Sequence, residues 1–120
     1  MPPGKRHSRG ETVIMINSEQ MGHGDDQLGA KLLHKLLFTL ASLDDKPGAV
    51  IFYNGAVRLL LPDSACLDSL RQLEQTEVDL LACVTCLEFY DLIGKIAVGE
   101  VSNMREITQR CLRAAKVITV

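Results

Sequence analysis

The stretch Asp79-Leu80-Leu81-Ala82-Cys83-Val84-Thr85-Cys86-Leu87-Glu88-Phe89-Tyr90 decides how this chain is read. Together with Val78 it opens as a short apolar run, the length of a buried strand. It closes as a helix-like segment with Leu87 and Tyr90 on one side. Cys83 falls where the strand stops and Cys86 in the first turn of the helix. In an open α/β sheet, that strand end is where ligand sites form. A helix start also favours negative charge, and it can bring a thiol from about 8.5 down to roughly 7. The sequence therefore points first to thiol chemistry, with an accessible Cys83 sulfur as the expected centre.

Outward from this stretch, strands and helices alternate. Thr12–Ile16 reads as the first strand. A polar loop with Gly22, His23 and Gly24 follows, and Asp25 or Asp26 caps a helix that stops near Leu43. Leu28, Leu32, Leu36 and Leu40, with Leu33 and Leu37 beside them, mark its apolar face. Ala49–Tyr53 is apolar throughout, as a strand buried on both faces should be. Asn54-Gly55 is a turn signal, and Ala56–Leu61 reads as an irregular or weakly extended connection. Asp63 or Ser64 caps a second helix with Leu67, Leu70 and Leu73 inward. Val78–Ala82 is the third strand and Ile96–Val98 a short fourth. Asn103 and Glu106 open a last helix in a near capping-box arrangement, with Met104, Ile107, Cys111 and Ala114 inward. Val117–Val120 is the last strand. This order predicts a three-layer α/β sandwich: a mostly parallel five-stranded sheet with helices on both faces. Residues 1–11, rich in Pro, Gly and basic side chains, read as a flexible tail, leaving 12–120 as one domain.

The totals exclude several classes. The chain has 120 residues, a formal net charge of −2 and 23% charged residues, so no basic surface for nucleic acid is implied. Two Tyr, three Phe and no Trp make a poor base-stacking platform. No apolar run approaches a membrane span, and no secretory segment follows the N-terminal basic residues, so a cytoplasmic location is expected. Four cysteines in such a chain are read as thiols rather than a disulfide framework. Zinc is not expected, because Cys83 and Cys86 have no second close Cys/His pair. No nucleotide cofactor is expected either, since the Gly22-x-Gly24-Asp25 loop lacks the dinucleotide and P-loop patterns. Cys66 and Cys111 fall on apolar helix faces and read as packing residues. His34 lies off the leucine face and reads as solvated.

Four motifs occur in order: Met21-Gly22-x-Gly24-Asp25-x-x-Leu28-Gly29, Phe52-x-Asn54-Gly55-x-Val57, Cys83-x-Thr85-Cys86-Leu87 and Val98-Gly99-x-Val101-x-Asn103-Met104. Together they resemble the DsrE/DsrF-like family, in particular the C-terminal domain of YedF-type proteins, over about Glu11 to Val120. The resemblance implies a sulfur-relay or sulfurtransferase-like protein, linked by association to selenium metabolism. It implies a cysteine persulfide carried on Cys83 with Cys86 in support, and Gly22, His23, Gly24, Asn54, Gly55 and Thr85 rimming the cleft. It also implies sulfur donor and acceptor proteins, TusA-like ones among them, and a homo-oligomer, a trimer or hexamer. The apolar Ala56–Leu61 run gives mild support to such an assembly. Two departures stand out. YedF-type proteins usually carry a TusA-like domain in front, where this chain has only residues 1–11, so a separate donor is expected. Val84 stands where the family usually has Gly.

Two other readings share these residues. One is a non-enzymatic oligomeric assembly or small-ligand-binding module with structural cysteines. The other is a dithiol redox protein, although the thioredoxin pattern would place Trp before the pair and Pro within it, and neither is present.

Overall fold

A computed structural model describes residues 10–120. Most of the tail read at residues 1–11 lies outside the described residues. Glu11, assigned to that tail, is instead buried in the fold.

Among the described residues five strands form one all-parallel sheet: β1 (Thr12–Ile16), β2 (Ala49–Phe52), β3 (Asp79–Cys83), β4 (Glu100–Ser102) and β5 (Lys116–Thr119). Their order is β4-β3-β2-β1-β5, with β2 at the centre. β2 pairs with β1 from Val13↔Ala49 to Ile16↔Phe52, and with β3 from Ala49↔Asp79 to Phe52↔Ala82. All four β2 residues are fully buried, the outcome its unbroken apolar run predicts.

Alternate strand residues feed two cores. Ile14, Ile16, Val50, Phe52, Leu80 and Ala82 face one side. There they meet α1 (Asp26–Ser42) through Leu33 and Leu37, and α2 (Leu67–Gln75) through Leu70 and Leu73. Val13, Ala49, Ile51, Leu81 and Cys83 face the other side, where Ile107 of α4 (Met104–Arg113) covers them. The short α3 (Val84–Phe89) continues directly from β3.

Several readings change. The seam of α1 is Gly29, Leu33, Leu37 and Ala41, one residue round from the Leu28/Leu32/Leu36/Leu40 line, and Leu28 and Leu32 are exposed. Gly29 explains the rotation: a Cβ there would lie 2.8 Å from Gln20 Cβ, so the helix needs its smallest residue against the first loop. The connection after β2 is a 3₁₀ helix, Asn54–Leu60, neither irregular nor extended. It buries Ala56, Val57, Leu59 and Leu60, so its greasiness serves the core and offers no assembly surface.

The fourth strand is Glu100–Ser102 rather than Ile96–Val98. Val98 fills the core from a loop, and Gly99 turns with φ +85° against Leu80, where a Cβ would meet the Leu80 carbonyl oxygen at 3.0 Å. On α4 only Ile107 is fully covered; Cys111 and Ala114 are half-buried and Met104 is exposed. The caps of α1 and α4 hold as read: Leu28 N–H donates to Asp25 Oδ1 and Glu106 N–H to Asn103 Oδ1, each at 2.9 Å. The Asp63 or Ser64 cap read for α2 does not: that helix begins at Leu67 behind Cys66, with no side-chain capping bond.

The sheet's amino edge is locked by one charged cluster. Arg110 of α4 donates to both Glu11 carboxylate oxygens at 2.9 and 3.2 Å, and to Asp79 Oδ2 at 3.1 Å. The Glu11 side chain is 2% exposed, so this pair is largely withdrawn from water. Gly48 is required beside it, because a Cβ there would overlap the Glu11 carboxylate. Removing one member of a buried pair leaves the other charge poorly compensated. Arg110→Ala is therefore expected to lower stability by about 3 kcal/mol in urea unfolding. Arg110→Lys, which keeps the charge but loses the bidentate fork, should fall between that variant and wild type.

Candidate functional site

The carboxyl ends of β2 and β3 are adjacent, which brings Tyr53-Asn54 beside Cys83 and the start of α3. Cys83 is the last residue of β3 and immediately precedes α3; Cys86 is the third residue of that helix. All four cysteines are free thiols. Cys83 packs with Leu81, Ile51 and Ile107 and keeps only 2% of its surface. The expectation of an accessible Cys83 sulfur is thus not met. β3 points this side chain into the core under α4, and the open sulfur is that of Cys86, three residues on.

Cys86 is half-buried and opens on a cleft of about 340 Å³ lined by Tyr53, Asn54, Thr85, Phe89 and Tyr90. The lining carries no charged side chain. Asn54 N–H donates to Cys86 Sγ at 3.0 Å. Burial pushes the Cys86 thiol up, the Asn54 N–H pulls it down, and a hydrogen bond with Cys83 and the Cys83 charge push it up again. The net direction is upward. The six-residue α3 does not bring this thiol below its ordinary value. Cys83, three residues earlier at the end of β3, is the neighbouring thiol that adds to this rise.

Of the expected rim residues, Asn54 and Thr85 line this cleft. Gly55 sits next to Asn54 in the 3₁₀ helix, outside the lining. Gly22, His23 and Gly24 line a different cavity of about 640 Å³, with Asn17, Ser18, Gln20, Asp26 and Val120. The sheet order explains the separation: β2 lies between β1, which carries that loop, and β3. Asn17 Nδ2, donating to the Tyr53 hydroxyl at 3.1 Å, links the two linings.

Cys66 is buried just ahead of α2, and burial raises its pKa. Cys111 packs its sulfur 3.6 Å from that of Met15; burial raises its pKa and Arg110 partly offsets this. Both fit the packing role read for them. His34 is exposed, as read. No group of three or more metal-ligating side chains occurs among the described residues.

The aromatic side of the cleft was missed. Tyr53 and Phe89 drew no attention in the sequence, and Tyr90 counted only as a helix-face residue. The available signal was spacing: Cys86 and Tyr90 are four apart and share one helical face.

No protein-family model matches the sequence, and no curated protein matches it either. Solved structures do resemble the fold. The ychN protein from E. coli superposes with a TM-score of 0.66 at 21% identity, over 92% of this chain and 99% of that one. The protein of unknown function MTH1491 from Methanobacterium thermoautotrophicum gives 0.67 at 22% identity with the same coverage. BT1422 from Bacteroides thetaiotaomicron, also of unknown function, gives 0.59 at 13% identity. At these identities the likeness is one of fold. No helix among the described residues is long and apolar enough to cross a membrane.

The geometry ranks the thiols. In the native protein, iodoacetamide should label Cys86 first, Cys111 more slowly, and Cys66 and Cys83 only on unfolding. Because the Cys86 thiolate forms above the ordinary thiol range, its labelling rate should still be climbing above pH 9. Peptide mass mapping against time and pH reads both results.

Proposed function

We propose that this chain is a DsrE-like sulfur carrier that receives a sulfur atom on Cys86 and uses Cys83 as the partner thiol. The observation that carries the reading is the pairing itself: one thiol open to a cleft and a second, three residues before it, buried at the same strand's carboxyl end. The fold likeness to the ychN and MTH1491 proteins supports the architecture. The sulfur chemistry rests on the cysteines.

The proposed step needs only a persulfide donor, R–S–SH. The Cys86 thiolate attacks the outer sulfur, a new Sγ–S bond forms and the donor S–S bond breaks. R–S⁻ leaves and takes up a proton, and Cys86 becomes a persulfide. An acceptor thiolate then attacks that outer sulfur and Cys86 leaves as thiolate. If no acceptor arrives, Cys83 attacks Cys86 Sγ, expels hydrosulfide and closes a disulfide, which an external dithiol reopens. A receiving role for Cys83 would require fitting an extra sulfur into a packed core.

The donor and acceptor are proposed to be separate sulfur-handling proteins that dock around Phe89, which is 83% exposed at the cleft. Self-association to a trimer or hexamer belongs to the same proposal, with exposed Phe89, Ile93 and Val101 as candidate contacts in place of Ala56, Val57, Leu59 and Leu60, which are buried.

The single-cysteine variants test the division of labour. With an organic persulfide as donor and intact mass as the readout, Cys86→Ser should abolish loading. Cys83→Ser should load fully but fail to form the internal disulfide. Loading of the Cys86→Ser protein on Cys83 would reverse the roles. A wild type that no persulfide loads would favour structural cysteines.

A further inference from the structure

We propose that Asn54 and Tyr90 are positioning residues for the Cys86 thiol, forming a clamp that aims one backbone N–H at its sulfur. This inference rests on the reading of Cys86 as the reacting thiol, but its test does not depend on sulfur transfer.

The clamp is a closed circuit. Cys86 and Tyr90 stand one helical turn apart, tied by Tyr90 N–H donating to the Cys86 carbonyl at 3.1 Å. Asn54 lies between them and is gripped at two points. Its backbone N–H donates to Cys86 Sγ at 3.0 Å, and its side-chain Oδ1 accepts from the Tyr90 hydroxyl at 3.0 Å. Asn54 also has φ +51°, in the left-handed region that few residues other than Gly and Asn enter readily. That conformation begins the 3₁₀ helix and directs the amide toward the sulfur. The tyrosine hydroxyl holds it there.

The far side of the tyrosine is braced as well. The Arg58 guanidinium sits 4.1 Å from the Tyr90 ring centroid, and Arg58 is 3.8 Å from Glu19. A line of contacts thus runs from Glu19 through Arg58, Tyr90 and Asn54 to Cys86, spanning the first loop, the 3₁₀ helix and α3. An N–H donor directed at sulfur favours thiolate over thiol. The groups around this sulfur include Tyr53 from the end of β2, Cys83 from β3, Tyr90 on its own helix and Cys111 of α4 in the same apolar cluster. Of these, Cys83 is the one that acts on it electrostatically, and it disfavours the thiolate. The Asn54 amide is the opposing influence, so its alignment controls how much thiolate is present.

The test is the pH profile of Cys86 alkylation by iodoacetamide, read by peptide mass, with the fold checked by circular dichroism. Tyr90→Phe removes only the hydroxyl. It should move the profile to higher pH and slow labelling at a fixed pH below the midpoint by about fivefold, the equivalent of one ordinary hydrogen bond. Asn54→Gly keeps the N–H and tolerates the positive φ but loses the side-chain grip, so it should give the same shift. The double variant should show no further shift, because both changes break one link. Profiles identical to wild type for folded Tyr90→Phe and Asn54→Gly would overturn the clamp, whatever the loading results. A shifted profile in a protein that cannot be loaded with sulfur would leave the clamp standing and remove the sulfur-carrier reading.

Discussion

Everything in this molecule depends on the burial of β2 between two neighbours and two cores. A strand with no exposed residue must satisfy every backbone polar group within the sheet. β1 and β3 do this in register from Ala49 to Phe52. The burial leaves the strand no freedom at its ends. At the amino end, Gly48 fits against Glu11 and the Arg110 cluster. At the carboxyl end, Tyr53 and Asn54 emerge at a fixed height beside Cys83. The placement of the Asn54 amide on Cys86 follows from that register.

The same packing divides the two cysteines. Alternation along β3 sends Leu80 and Ala82 to the α1/α2 side and Leu81 and Cys83 to the α4 side. The chain then turns directly into α3, and Cys86 swings out to the rim. One thiol is enclosed in apolar surroundings while the next is open to solvent and polarised by a backbone N–H. A pair differentiated in this way suits sequential chemistry, with one sulfur meeting the partner and the other completing or resetting the step. For the proposed carrier role, the neutral, aromatic lining of the cleft suits a group presented on an organic or protein carrier better than a small inorganic anion, which would call for a cationic cradle.

The central strands were legible because parallel strands buried on both faces read as unbroken apolar runs. Thr12–Ile16 and Ala49–Tyr53 match β1 and β2 to within a residue, and Val78–Ala82 is offset by one residue from β3. β4 was not legible. It is a short edge strand, Glu-Val-Ser, and the apolar Ile96–Val98 beside it packs as a loop, so hydrophobicity pointed to the wrong three residues. The 3₁₀ segment escaped because its apolar residues follow neither the strand period nor a full α-helical one. At the site, chain position identified the cysteine pair and Asn54. It could not tell which sulfur is open, since that depends on which core face β3 presents at Cys83. Nor could it show the Tyr90–Asn54 contact, which joins residues 36 positions apart. The first-loop glycines were placed at the correct sheet edge but on the wrong side of β2.

The most direct measurement is the chemical state of the thiols in protein isolated from its own cells without reductant, mapped by peptide mass. The account predicts an additional sulfur atom on the peptide that contains Cys83 and Cys86, located on Cys86 and released by a small thiol. Free thiols at both positions in every such preparation, or sulfane sulfur confined to Cys66 or Cys111, would contradict it.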